Sequence, residues 1–286
     1  KAIAALANNP GDALDYLEVI GKGLPLDRAP LPIIAAPTTA GTGSEVTRNA
    51  VLTSREHRVK VSLRHQAMLP WWTFVDPELT RSMPPAVTAA SGLDALTQLI
   101  EAFVSAKANP MTDALCREAL PRAARALPKA FVDGDDMDAR RDMALAALFG
   151  GLALANGGLG AAHGLAGPLG GMTGAPHGAL CAALIGPAIR TNLAALTERT
   201  PGHPALLRYD ELALFLTGDT AATGVNAAGW VETVAREFGV TGLSAMGLAE
   251  SDISEAVEKA KASSSMKGNP VELTDGEVAE TIRRAM

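Results

Sequence analysis

The sequence is poor in cysteine, in aromatic residues and in runs of like charge, and each shortage narrows what the chain can be. Two cysteines, Cys116 and Cys181, in 286 residues do not make a disulfide framework and fit a reducing cytosol. Aromatic residues are 4% of the chain, so the core must be built from alanine, glycine and aliphatic side chains, which suits helix packed on helix. No run of Lys or Arg interrupts a net charge of -6, which removes the footprint that nucleic-acid binding requires. Three common chemical signatures are also missing: the sequence has no GxGxxG, no Walker pattern and no GxSxG nucleophile elbow.

The longest uncharged stretch raises the question of a membrane. No Asp, Glu, Lys or Arg occurs between Asp142 and Arg190, but eleven glycines lie from Gly150 to Gly178, with Pro168, Pro176, His163, His177 and Asn156 among them. A spanning helix needs roughly 20 mostly large apolar residues. The expectation is therefore a pair of helices at the centre of a protein core with all faces covered, and no membrane partner. No signal peptide is recognised, and a cytoplasmic location is expected.

What is present divides the chain in two. Lys1 to Ala7 has the periodicity of a helix without a preceding cap, as though it continued one. Leu31 to Ala36 is a short apolar run that ends in a Gly- and Thr-rich loop, the pattern of a buried strand feeding a loop at its carboxyl end, where α/β sheets place ligands. Thr47 to Thr53 and Val59 to Leu63 alternate about a turn and predict a hairpin, and Trp71 to Val75 is a further apolar run. From Met83 the period becomes helical, with Pro84 and Pro85 suited to a first turn. Helices are predicted at 110–130, 137–155, 178–193, 209–216, 227–238, 251–263 and 274–286, the last opened by a Thr274 to Glu277 capping box. Residues 263–268 read as a flexible connector. The domain expectation is a small α/β unit over residues 1–81 and an all-helical unit over 82–286.

Asp94, His163 and His177 are the most informative constellation. Singly, an Asp near a helix start is an ordinary cap and a His among glycines an ordinary core residue. Jointly, a carboxylate and two imidazoles in an Ala- and Gly-rich core need partners, and one divalent cation would serve all three. Gln98 follows Asp94 by one helical turn and shares its face, either as a ligand or as a hydrogen-bonding neighbour. The loop PTTAGTGSEVT, residues 37–47, offers backbone N–H groups at Gly41 and Gly43 and hydroxyls at Thr38, Thr39, Thr42 and Ser44, a composition that can cradle phosphate or simply make a turn.

In order along the chain, PTTAGTGSEVT at 37–47, VDPELT at 75–80, MPP at 83–85, SGLDALTQLIEAFVS at 91–105, GLGAAHGLAGPLGG at 158–171 and APHG at 175–178 resemble the iron-containing alcohol dehydrogenase family. The resemblance implies an α/β dinucleotide-binding domain, present here as a remnant, and an all-α C-terminal domain, the dehydroquinate synthase-like architecture. It implies a divalent metal, iron or zinc, with NAD or NADP as cofactor. Asp94, His163 and His177 match metal ligands, with Gln98 at the place of a fourth. Thr38, Thr39, Thr42, Asn49, Lys60 and Leu79 match positions that line the nucleotide. The reaction implied is hydride exchange between nicotinamide and a carbonyl carbon, with the metal polarising the carbonyl oxygen, on a small-molecule alcohol or carbonyl substrate. A homo-oligomer, a dimer, is expected.

Three departures accompany the resemblance. Gln98 stands where the family has a His, and Gly167 stands where it has the second His of an HxxxH pattern begun by His163. Glycerol dehydrogenase relatives use three protein ligands and zinc, so a shift from iron toward zinc, or to weak metal binding, is expected. The family's GGGSxxD pyrophosphate segment would precede Lys1, so the chain is expected to be a shortened relative with exposed sheet edges. The alternatives are a maleylacetate reductase-like enzyme, favoured by ANP at 108–110 and LGG at 169–171, and a truncated non-catalytic homologue.

Overall fold

The structure is a computed structural model that describes all residues, Lys1–Met286. The N-terminal part carries helix α1, Ala2–Leu6, and four strands, β1 at Ile34–Ala35, β2 at Asn49–Ser54, β3 at Val59–Arg64 and β4 at Trp72–Thr73. The predicted hairpin is present: β2 and β3 pair antiparallel, with Asn49 opposite Arg64 and Ser54 opposite Val59. Its alternation puts Val59, Val61 and Leu63 beneath the hairpin, where they meet Ala5, Leu17 and Met68 in a small core of their own. β1 and β4 pair in parallel, Ile34 beside Trp72. They are shorter than the apolar runs predicted, because only those residues find ladder partners. Parallel strands are usually covered on both faces, yet Ile34, Trp71, Trp72 and Phe74 are exposed.

Beyond Pro84 the chain is helical: α2 Pro85–Val104, α3 Pro110–Val132, α4 Met137–Gly157, α5 Ala161–Thr173, α6 His177–Arg199, α7 Pro204–Thr217, α8 Gly224–Glu237, α9 Ile253–Lys261 and α10 Asp275–Ala285. A single contiguous core joins them, with α2 packed against α3, α4 and α6, and α6 against α5, α8 and α10. The α10 capping box is formed, Thr274 and Glu277 each accepting from the other's backbone N–H. By length and composition α6 alone is apolar enough to cross a membrane, but its apolar face is taken up by neighbouring helices.

Two sequence expectations are corrected. The uncharged stretch contains α5 as a third helix between α4 and α6, where glycines and Pro168 argue against one. Side chains from elsewhere hold its first turn: Asn269 accepts from Ala161 N, and Glu101 accepts from Ala162 N and His163 N. Tertiary capping replaces the missing local signal. Residues 263–268 are likewise not an open connector. Gly268 is buried against the Leu159 carbonyl, and Asn269 beside it pairs with Asn192 through two hydrogen bonds.

The Gly- and Thr-rich loop after β1 owes one glycine to packing. Gly43 has φ 56° and lies against α4 at Gly151, so a Cβ on Gly151 would stand 2.5 Å from the Gly43 carbonyl oxygen. Gly151→Ala improves helix propensity but overpacks this backbone contact. It is expected to lower stability by roughly 1–3 kcal/mol; an unchanged or raised denaturation midpoint would contradict the packing.

Candidate functional site

Helix α2 presents Asp94, Gln98 and Glu101 at intervals of about one turn, all on a face turned into the core. Glu101 receives three hydrogen bonds from the start of α5, from Ala162 N at 2.6 Å, His163 N at 3.3 Å and His163 Nδ1 at 2.7 Å. A carboxylate only accepts, so Nδ1 of His163 carries a proton and Nε2 points away from Glu101. That nitrogen lies 3.3 Å from Asp94 Oδ1.

His177 is the first residue of α6, and its neighbour Gly178 explains how it reaches Asp94. A Cβ on Gly178 would stand 2.1 Å from the Ala90 carbonyl oxygen, so only glycine lets the start of α6 lie directly on α2. His177 Nε2 is then 3.7 Å from Asp94 Oδ1. Three sequence-predicted ligands, carried by three helices, therefore converge on one point. A fourth donor joins them that sequence reasoning missed. Cys181, one turn after His177, places Sγ 3.6 Å from His177 Nε2, and the four donor atoms lie within 4.8 Å of one another. The spacing of His177 and Cys181 on one helix face was the available signal; a cysteine in an apolar helix otherwise reads as core.

The electrostatics of this cluster call for positive charge. Burial works against the Asp94 carboxylate, which is 2% exposed, but His163 and His177 beside it hold its pKa below the usual range. Burial also disfavours a charged His163, yet Cys181, Asp94 and Glu101 outweigh it and raise its pKa well above the usual imidazole range. His177 is raised chiefly by Cys181. Gln98 is 2% exposed, and its buried Oε1 has no hydrogen-bond partner.

The cluster forms one end of a cleft of about 770 Å³ between the hairpin and helices α4, α5 and α9. His163, His177, Gln98 and Gly167 face the cleft, whereas Asp94 and Cys181 stand behind them. Its walls carry Lys1, Arg48, Lys60, Arg64, Lys107 and Lys259 against the single carboxylate of Glu18, a cationic groove in an acidic chain. Of the residues that the resemblance placed along a nucleotide, Thr42, Asn49 and Lys60 line this cleft. Thr38, Thr39 and Leu79 are exposed and are not among the residues that line it. A Cβ on Gly167 would meet nothing nearer than the Lys60 carbonyl at 3.8 Å, so the missing His leaves open space.

Family models match nearly the whole chain: "Fe-containing alcohol dehydrogenase family, C-terminal" over residues 88–286 and "Iron-containing alcohol dehydrogenase" over residues 1–77. A choline dehydrogenase of Bacillus subtilis (strain 168) is 36% identical over 96% of this chain and 67% of its own length. An NAD-dependent methanol dehydrogenase of Bacillus methanolicus is 36% identical over 100% of this chain and 73% of its own. The solved structure of a 1,3-propanediol oxidoreductase superposes with a TM-score of 0.85 at 34% identity, covering 100% of this chain and 73% of that one. The chain thus spans about two thirds to three quarters of the length of these relatives. On sequence, fold and the convergence of Asp94, His163 and His177, the chain belongs to the iron-containing alcohol dehydrogenase family.

Proposed function

We propose that Asp94, His163 and His177 hold a divalent cation at the end of a cleft that takes NAD or NADP, and that the chain interconverts a small alcohol and its aldehyde or ketone. The observation that carries this reading is the convergence of the three donors. Ligands about 2.0–2.1 Å from a common centre in a tetrahedral arrangement stand about 3.4 Å apart, and the separations from Asp94 Oδ1 are 3.3 and 3.7 Å. The unpartnered Gln98 Oε1 is a further sign that a polar group belongs at this end of the cleft.

When bound, the cation would polarise the substrate oxygen and the nicotinamide would give or take the hydride. The chain's own residues do the rest. Glu101 fixes the His163 ring by its Nδ1 and, by holding the first turn of α5, keeps Nε2 aimed at Asp94. Gln98 and Gly167 shape the place beside the histidines, the first with an acceptor for a substrate hydroxyl and the second with room for the substrate's carbon chain. Thr42, Asn49 and Lys60 bind the nucleotide along the hairpin side, and the surrounding lysines and arginines attract its phosphates. The volume suits a ligand of this size, since such sites commonly measure about 300–1,000 Å³.

Asp94→Ala and His177→Ala should each lose the cation and lower kcat/KM for alcohol oxidation at least about 100-fold, the scale of a lost Lewis acid. Metal analysis alongside activity assays tests this, and wild-type protein that turns over alcohols without any metal would overturn it. Lys60→Ala should weaken NADH or NADPH binding roughly tenfold, as for one charge-assisted contact, with metal content unchanged. A fluorescence titration with equal affinities for the two proteins would remove Lys60 from the nucleotide site.

The raised imidazole pKa values give a pH dependence of known sign. Protons and a cation compete for the Nε2 atoms, so zinc affinity should climb as pH rises from about 6.5 through the raised values of His163 and His177. Without a cation, the stability supplied by the charged imidazoles is complete below that pH and is lost over the same rise. Competition titrations at several pH values test the first trend and thermal melts of metal-free protein the second; flat profiles would contradict both.

A further inference from the structure

We infer that Cys181, as a thiolate, is a ligand of the cation, replacing the fourth donor that this chain lacks at Gln98. The inference rests on the proposed metal site and specifies its chemistry. Cys181 belongs to α6, whose first residue is His177, and helical geometry brings the two side chains to one face a turn apart. A tetrahedral centre with nitrogen at about 2.05 Å and sulfur at about 2.3 Å would hold the two atoms about 3.6 Å apart. The observed separation of His177 Nε2 and Cys181 Sγ is 3.6 Å. The Asp94–His163, Asp94–His177 and His177–Cys181 spacings therefore match one centre, and all four donor atoms lie within 4.8 Å of one another, although they come from three different helices.

A second observation shows that the chain's own polar groups do not complete this site. Gln98, nearly wholly buried and facing the cleft, leaves Oε1 without a partner, and neither Cys181 nor the histidines satisfy it. The two candidates for the fourth position thus lie on different sides. Cys181 is fully buried behind the histidines, whereas Gln98 faces the cleft. Ligation by Cys181 leaves the cleft side of the centre free for substrate, with the Gln98 oxygen beside it as a hydrogen-bond acceptor.

Charge and softness favour the thiolate. As the Sγ–cation bond forms, the Sγ proton passes to solvent, and one carboxylate plus one thiolate then neutralise a divalent cation in a site that is otherwise buried. A sulfur ligand suits zinc better than it suits a hard cation, so this chain should take zinc in preference to ferrous iron.

Cobalt(II) is the probe that separates this inference from the metal site itself. Wild-type protein loaded with one equivalent of cobalt(II) should show the intense near-ultraviolet sulfur-to-cobalt charge-transfer band, along with the visible bands of a bound ion. Cys181→Ser should lose the near-ultraviolet band, and Cys116→Ala should keep it. Because a core substitution can disturb folding, X-ray absorption on the unmutated zinc protein gives an independent reading, with a sulfur neighbour expected at about 2.3 Å. Bound cobalt without the charge-transfer band, or zinc surrounded by nitrogen and oxygen alone, would overturn the role of Cys181 and leave the three-ligand site standing. Failure to bind either metal would overturn both.

Discussion

A carboxylate in the middle of a helical core is the constraint on which this structure turns. Asp94 lies on α2, the helix that packs against α3, α4 and α6, and an ionised group there is costly unless cationic or hydrogen-bonding partners surround it. The protein supplies them by bringing two helix starts to the same point. The first turn of α5 is held by Glu101 and Asn269, and the first turn of α6 lies on α2 through Gly178. Each device serves packing and ligand position at once. Glu101 is the clearest case, since the carboxylate that caps α5 also fixes the tautomer of His163.

The cluster therefore has two sides with different tasks. On the buried side, Asp94, Glu101 and Cys181 concentrate negative or polarisable groups, and these keep the imidazoles of His163 and His177 ready to carry positive charge. A proton meets that demand in the metal-free protein, and in the proposed site a divalent cation would meet it through the same nitrogens. On the open side, Gln98 and Gly167 face a cleft whose walls are strongly cationic, the field that a nucleotide's phosphates require. The contrast between an acidic protein and a basic groove sets this cleft apart from the rest of the sequence's charge, and in the proposed function it would draw an anionic cofactor here.

Much of this was legible in the sequence because the relevant signals are local. The hairpin shows in its alternation, α10 in its capping box, and α2 in the stripe running from Leu93 to Phe103. Asp94, His163 and His177 stand out because polar residues in an Ala- and Gly-rich stretch need partners. What escaped was set by contacts distant in sequence. α5 lacks helix-forming residues and is held by a glutamate and an asparagine far from it in the chain. Gly43 and Gly151 are bound to each other by close packing of loop and helix, which neither segment announces. Cys181 resembles a core residue until His177, one turn earlier, gives it a role.

A single cation at the meeting point of α2, α5 and α6 is what the proposed function requires, and anomalous scattering locates it most directly. Diffraction data collected on either side of the zinc absorption edge from crystals of zinc-loaded protein should give one strong difference peak within bonding distance of Asp94 Oδ1, His163 Nε2 and His177 Nε2. A peak elsewhere, or none at this point in zinc-saturated crystals, would contradict the account and reduce the three residues to an ion-paired cluster in a helical core.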